Sequence, residues 1–197
     1  MSFKIDEYIN SNLNLFGKIN SYLIFVTPRL NGKANFQNSF EKAYAQALKS
    51  GIYLAHMISN EELVKGHGFN LIGFSMGTIV IYSCLQELEK INSLDKINDV
   101  IIMGSIIHLD DIKSLKLKSI AGHLINCYSE NDDILRYFFR AVKWGQSPVG
   151  LQAIEKNNFK ILDVDCSDII SGHMDYREKM DVVLRRIDFN SDFYFLN

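Results

Sequence analysis

The sequence has few cysteines and few prolines, and it contains no long apolar run. Its three cysteines, Cys84, Cys127 and Cys166, are widely spaced and include no Cys-x-x-Cys pair, so we expect reduced, buried thiols in a reducing compartment. Only two prolines occur in 197 residues, which predicts long regular elements. No segment has the roughly 20 apolar residues that span a bilayer, and residues 1–20 are too polar for a signal peptide.

The chain also lacks an excess of charge of one sign. It carries 21 basic and 23 acidic residues, a formal net charge of −2, and this balance is not the basic signature of a polyanion-binding protein. We therefore expect no nucleic-acid partner. Hydrophobic residues make up 47% of the chain, enough to form a sizeable core. These features predict a soluble intracellular protein that is cytoplasmic or peripheral on a membrane.

Short apolar runs alternate with helical patterns after an asparagine-rich start. Residues 1–20 are interpreted as a weakly determined leader, and residues 21–197 as a single domain. Strands are predicted at 21–27, 69–74, 100–103, 122–128 and 159–164. Helices are predicted at about 40–58, 78–90, 134–143 and 174–187. The alternation predicts an α/β fold with a doubly wound, mostly parallel sheet, whose functional residues lie beyond the carboxyl ends of the strands.

A candidate nucleophile lies between the second strand and the helix that follows it. Residues 73–77 have the sequence GFSMG, a Gly-x-Ser-x-Gly motif. In hydrolases this motif builds a sharp strand-to-helix turn with the serine at its apex. The helix then directs its positive dipole end at the site, which favours developing negative charge. Chance occurrence would make Ser75 an ordinary tight-turn serine, but the position between an apolar strand and an apolar helix favours a nucleophile.

A serine nucleophile needs an imidazole base that is oriented by a carboxylate. His173 lies in the loop between the last predicted strand and helix, where the base is expected; the alternative is a capping or surface histidine. Four other histidines compete less well by position: His56, His67, His108 and His123. For the acid we favour Asp132, in the turn after the strand at 122–128, with Asp133 as the alternative. A solvated acidic turn is the competing interpretation.

Several blocks of sequence, in order, resemble the α/β-hydrolase family that includes transmembrane and coiled-coil domain-containing protein 4. The blocks are LIGFSMG (71–77), DVIIMGS (99–105), INCYSENDDILRYFFRA (125–141) and DIISGHMDYR (168–177). The resemblance covers about residues 40–187 and implies an α/β-hydrolase-like fold with a reduced N-terminal part. It assigns the roles of nucleophile, acid and base to Ser75, Asp132 and His173. Lipase activity is suggested for some members, which implies a lipid or acyl ester substrate.

Ester hydrolysis also requires two backbone N–H groups that stabilise the tetrahedral oxyanion. We expect Met76 to provide one, and residues 29–33 are the upstream candidate for the other. The expected function is a serine-dependent hydrolase of carboxylic esters, with a small acyl or lipid substrate and neither a metal nor an organic cofactor. A peptidase or thioesterase would use the same triad. The competing hypothesis is a catalytically impaired, hydrolase-fold binding or scaffold protein without a complete oxyanion hole.

The predicted helix at 134–143 is apolar nearly all round. Arg136, Arg140 and Lys143 form a narrow basic stripe on it. It is interpreted either as a lid or membrane-facing helix that helps to form an acyl pocket, or as a helix that packs on the sheet. The apolar residues 193–196 near the end of the chain are interpreted as a docked tail or a partner contact.

Overall fold

The structure is a computed structural model that describes residues 21–26, 36–60, 68–142, 147–154 and 158–189. The described strands are β1 (Ser21–Val26), β2 (Gly68–Phe74), β3 (Ile97–Met103), β4 (Leu124–Tyr128) and β5 (Ile161–Asp165). The described helices are α1 (Phe36–Ser59), α2 (Gly77–Lys90), α3 (Leu109–Ser114), α4 (Asp133–Val142), α5 (Asp175–Glu178) and α6 (Met180–Arg186). The predicted leader at 1–20 and the apolar residues 193–196 lie outside the described residues.

The strands form one parallel sheet in the order β1-β2-β3-β4-β5. Parallel neighbours need a crossover, which α1 provides between β1 and β2 and α2 between β2 and β3. Phe74 pairs with Met103, and Met103 pairs with Cys127. The carboxyl ends of β2, β3 and β4 therefore lie side by side, and the loops that follow them share one edge of the sheet.

Alternate side chains of the strands enter two separate cores. Leu71 and Val100 belong to the core under α1 and α2, whereas Ile72 and Ile101 belong to the core on the opposite face, with Val183 of α6. Strands that are buried on both faces are typical of parallel sheets covered by helices on each side. The predicted α/β fold, with helices on both faces of a parallel sheet, is confirmed.

The boundaries of several elements differ from the predictions. Helix α1 begins at Phe36, earlier than predicted, and the predicted closing helix is divided at Lys179 into α5 and α6. His123, which was predicted inside a strand, lies immediately before β4. The prediction of free, buried cysteines is confirmed at all three positions.

Candidate active site

Ser75 occupies the turn between β2 and α2 in a strained backbone conformation. Its φ is +53°, in the left-handed region that costs a residue with a side chain about 1–2 kcal/mol. Three hydrogen bonds hold the turn: the Ser75 N–H donates to the Met103 carbonyl at 3.0 Å, and the N–H and Oγ1 of Thr78 donate to the Ser75 carbonyl at 3.0 and 2.6 Å. The strain is therefore maintained by both the neighbouring strand and the first turn of α2.

Gly73 permits this close passage of the strand beneath the helix. A Cβ atom at this position would lie 2.7 Å from Ile81 Cδ1 and 3.1 Å from the Gly77 carbonyl oxygen. A larger residue would require the Ile81 side chain and the first turn of α2 to shift. The first glycine of the motif thus serves the close approach between β2 and α2.

His173 follows β5 and its imidazole reaches the serine. The distance from His173 Nε2 to Ser75 Oγ is 2.8 Å. The imidazole is buried against the ring of Phe74, with the ring centroids 4.8 Å apart. On another side lies Gly104, where a Cβ would be 3.3 Å from His173 Cε1. This close packing allows the imidazole little freedom to rotate away from Ser75.

Asp132 completes the hydrogen-bonded path from a position with no exposed surface. Its Oδ2 lies 2.6 Å from His173 Nδ1, and its Oδ1 accepts the N–H of Leu135 at 3.0 Å. A carboxylate can only accept hydrogen bonds, so Nδ1 carries the proton and Nε2 is left to accept from the serine hydroxyl. Hydrogen bonds to both oxygens hold the carboxylate in one orientation.

Asp133, the alternative acid, is directed elsewhere. It is exposed, and its Oδ1 accepts the N–H of Ile134 at 2.8 Å. Its main contribution is therefore to the first turn of α4, where negative charge is favourable. The structure brings Asp132 to the imidazole, as the first-choice prediction expects.

The other histidines of the described residues lie away from this path. His56 Nε2 is 3.4 Å from Glu87 Oε1, and His123 Nδ1 is 3.8 Å from Asp99 Oδ1. His108 immediately precedes α3. His67 lies outside the described residues.

Two further buried groups near the site, the Tyr176 phenol and the Cys127 thiol, have raised pKa values. The Tyr176 hydroxyl donates to the Cys127 carbonyl at 3.1 Å, and burial raises the pKa of the phenol. A hydrogen bond with the Cys166 thiol, together with burial, raises the pKa of Cys127. The Asp132 carboxylate therefore interacts with His173 without a second buried anion from either group.

Met76 lies directly after the serine, at the start of α2. It is buried and has helical backbone angles, φ −57° and ψ −25°. Within the described part of the chain, the N–H of Met76 donates no backbone hydrogen bond. The first N–H groups of a helix lack partners within the helix and favour negative charge. The other expected donor segment, residues 29–33, lies outside the described residues.

Three buried hydroxyl groups, those of Thr78, Ser105 and Ser129, support the site, and none of these roles was predicted from the sequence. The Ser105 hydroxyl donates to Thr78 Oγ1 at 3.2 Å, so Ser105 backs the bond between Thr78 and the Ser75 carbonyl. Ser129 connects the turn before Asp132 to the loop before His173. No motif marks these residues, because the partners of Ser105 and Ser129 are 27 and 41 positions away.

Fold and site together define a class: an α/β protein with a serine at a strand-to-helix turn, hydrogen-bonded to a histidine and through it to a buried aspartate. The chain belongs to DUF726, a family described as proteins of unknown function, whose sequence profile matches residues 29–190. No solved structure matches the chain.

Curated relatives are found in fungi and animals. The chain is 35% identical over 156 residues to the uncharacterized membrane protein C6F6.13c of Schizosaccharomyces pombe, covering 78% of this chain and 19% of that protein. It is 38% identical over 119 residues to the probable lipase MIL1 of Saccharomyces cerevisiae, covering 59% and 11%. It is 31% identical over 156 residues to the uncharacterized membrane protein F35D11.3 of Caenorhabditis elegans, covering 76% and 25%. The chain therefore spans a quarter or less of the length of these three relatives.

Two of these relatives are named membrane proteins. In this chain, the helices within the described ranges are all too short or too polar to cross a bilayer.

Proposed function

We propose that this protein is a serine hydrolase of the α/β-hydrolase type that cleaves carboxylic esters with acyl or lipid character. The observation that carries the proposal is the continuous path from Ser75 through His173 to Asp132, with distances of 2.8 and 2.6 Å. These residues follow one another along the chain in the order serine, acid, histidine, which is the order of α/β-hydrolases. The yeast relative named a probable lipase is consistent with ester chemistry.

The proposed reaction uses each side chain in a defined role. Ser75 Oγ attacks the ester carbonyl carbon while His173 Nε2 accepts its proton, and His173 then protonates the departing alcohol. Asp132 holds the Nδ1–H and stabilises the imidazolium that forms. The Met76 N–H stabilises the oxyanion. Water, activated by the same imidazole, then hydrolyses the acyl-enzyme and regenerates Ser75.

Exposed apolar side chains adjacent to the acid and the base support an acyl substrate. Ile134 and Tyr137 on α4 are 49% and 70% exposed, and Met174, next to His173, is 48% exposed. Ile134 and Tyr137 are three positions apart, so they lie on the same face of the helix. Leu135 is buried in the core, which anchors this helix to the domain. We assign the exposed face to the acyl chain, since exposed apolar groups beside a site favour apolar ligands.

Hydrolysis of p-nitrophenyl esters by the purified protein tests the proposal. We expect turnover of acyl esters that exceeds turnover of the matching anilides, because an alcohol leaves more readily than an amine. A protein that turns over neither class and does not react with a fluorophosphonate would refute the hydrolase assignment. That outcome would favour a hydrolase-fold binding protein.

The acyl-chain assignment predicts a selective defect in an Ile134→Ser/Tyr137→Ser double variant. We expect kcat/KM for a decanoyl ester to fall about 10-fold, since losing apolar contacts of this size costs about 1–3 kcal/mol. The value for an acetyl ester should stay within about twofold, because a two-carbon acyl group is too short to need the lost contact area.

A matched control is available on α1, where Ile52 and Tyr53 are 40% and 71% exposed. An Ile52→Ser/Tyr53→Ser protein should hydrolyse both esters like the wild type. Equal losses for the long and the short ester in the α4 variant, or no loss for either, would contradict the assignment of this face to the acyl chain.

A further inference from the structure

We propose that Ser129 is a positioning residue that holds the acid turn against the histidine loop and so keeps Asp132 and His173 in register. Where kcat is the readout, the inference rests on the proposed function. The geometry of the pair can also be observed without turnover, so the two proposals can fail separately.

Every polar group of Ser129 has a partner in the structure. The residue directly follows β4 and has no exposed surface. Its hydroxyl donates to the Ile170 carbonyl at 2.8 Å and accepts the N–H of Asn131 at 3.1 Å. Its own N–H donates to the Gly150 carbonyl at 3.0 Å, and its carbonyl accepts the N–H of Asp132 at 3.3 Å.

The two hydroxyl bonds connect the two halves of the proposed charge pair. Asn131 immediately precedes Asp132, and Ile170 lies three residues before His173. One hydroxyl group therefore sets the separation between the turn that carries the acid and the loop that carries the base. No backbone-to-backbone hydrogen bond is described between residues 129–132 and residues 170–173. Among the described residues, the Ser129 hydroxyl is therefore the direct hydrogen-bonded link between these segments apart from the bond between Asp132 and His173 itself.

Neighbouring bonds between the two turns are exposed and easier to replace. Ser167 accepts the N–H of Glu130 through Oγ at 3.0 Å and the Asn131 Nδ2 amide through its carbonyl at 2.8 Å, and both bonds are exposed. Water can substitute for exposed partners, but it cannot reach the Ser129 hydroxyl without a rearrangement. Loss of that hydroxyl removes the partner of the buried Ile170 carbonyl and of the partly buried Asn131 N–H, and a buried polar group without a partner is destabilising.

The loss of these hydrogen bonds favours separation of the two segments. Water that enters to satisfy the Ile170 carbonyl must separate the histidine loop from the acid turn. Such a separation lengthens the 2.6 Å bond between Asp132 and His173. Because a displacement of about 1 Å in a catalytic group can cost up to 10²-fold in rate, a modest opening is enough to impair the site while the fold persists.

The test compares Ser129→Ala with a matched variant, Ser83→Ala. Ser83 is also buried, and its hydroxyl donates to the Leu48 carbonyl at 2.7 Å between α2 and α1, away from the site. The first readout is the far-downfield proton resonance of His173 Nδ1–H, which reports the short, charge-assisted bond to Asp132. The second is the division of any rate loss between kcat and KM.

In Ser129→Ala we expect the downfield resonance to move upfield or vanish and kcat to fall about 10-fold with KM within twofold. Ser83→Ala should lose similar stability but retain the wild-type resonance and kcat. If Ser129→Ala folds poorly, Ser129→Cys keeps the shape of the side chain with a weaker donor, and we expect an intermediate shift of the resonance.

A Ser129→Ala or Ser129→Cys protein with the wild-type resonance and kcat would overturn the proposal, and so would the absence of the resonance from the wild type. A wild type that shows the resonance but no turnover would refute the hydrolase assignment. In that case the response of the resonance to Ser129→Ala would still decide the positioning role.

Discussion

Ser75→Ala is expected to abolish ester hydrolysis, with a loss in kcat of at least about 10⁴-fold. The substitution removes only the hydroxyl group, which is the attacking group. The hydrogen bonds of Met103 and Thr78 to the Ser75 backbone remain. The measurement is steady-state hydrolysis of a p-nitrophenyl ester, with circular dichroism to establish that the variant is folded. Alanine also keeps the Cβ atom, which the turn already accommodates at a φ of +53°.

The appropriate comparison is another serine of the same helix region. Ser83→Ala removes a buried hydroxyl on α2 that does not contact the proposed site, and we expect its kcat to remain within about twofold of the wild type. Hydrolysis that persists unchanged in Ser75→Ala would show that the activity belongs to another residue or to a contaminant. Ser75 would then be only a tight-turn serine.

The second large effect is expected for Asp132→Asn, with a loss in kcat of about 10³–10⁴-fold. The physical reason lies in the two partners of the carboxylate, His173 Nδ1 and the Leu135 N–H, both of which are donors. An asparagine has one acceptor and one donor end, so one of the two contacts must oppose two donors. If its amide faces Nδ1, the imidazole adopts the tautomer that cannot accept the Ser75 proton.

Asp133→Asn is the natural control because it makes the same chemical change one residue away. Asn at 133 can still accept the Ile134 N–H that Asp133 accepts at 2.8 Å, so we expect kcat within about twofold of the wild type. Both rates are measured on one ester at one pH. A larger loss from Asp133→Asn than from Asp132→Asn would reverse the assignment of the acid.

The alternation of strands and helices was predictable because the central strands β2, β3 and β4 are largely buried. Continuous apolar runs such as residues 100–103 were therefore recognised. The full extent of β3 was not, because it begins at Ile97 and includes Asn98 and Asp99. Side chains satisfy these polar positions: the Asp99 N–H donates to Asn70 Oδ1 at 3.1 Å, and Asp99 Oδ1 accepts the N–H of His123 at 2.8 Å. Such pairing between distant residues leaves no local pattern.

Some residues of the candidate site were likewise predictable from the sequence, and others were not. Ser75 was predictable because the turn that positions it is local in sequence, and His173 and Asp132 were predictable because each follows a strand whose end must lie at the same edge of the sheet. The hydroxyl of Ser129 was not predictable, since its role depends on how two loops 41 residues apart meet. The different burial and contacts of Asp132 and Asp133 were not predictable, because two adjacent aspartates look alike in the sequence.

The most direct measurement is the site of phosphonylation in the intact wild-type chain. A fluorophosphonate forms a covalent adduct with a serine only when a neighbouring base activates the hydroxyl. We expect one adduct per chain, mapped by tandem mass spectrometry to Ser75, and its loss after denaturation or in His173→Ala. An adduct on another residue, or no adduct in the folded protein, would contradict the assignment of Ser75, His173 and Asp132 as the catalytic triad.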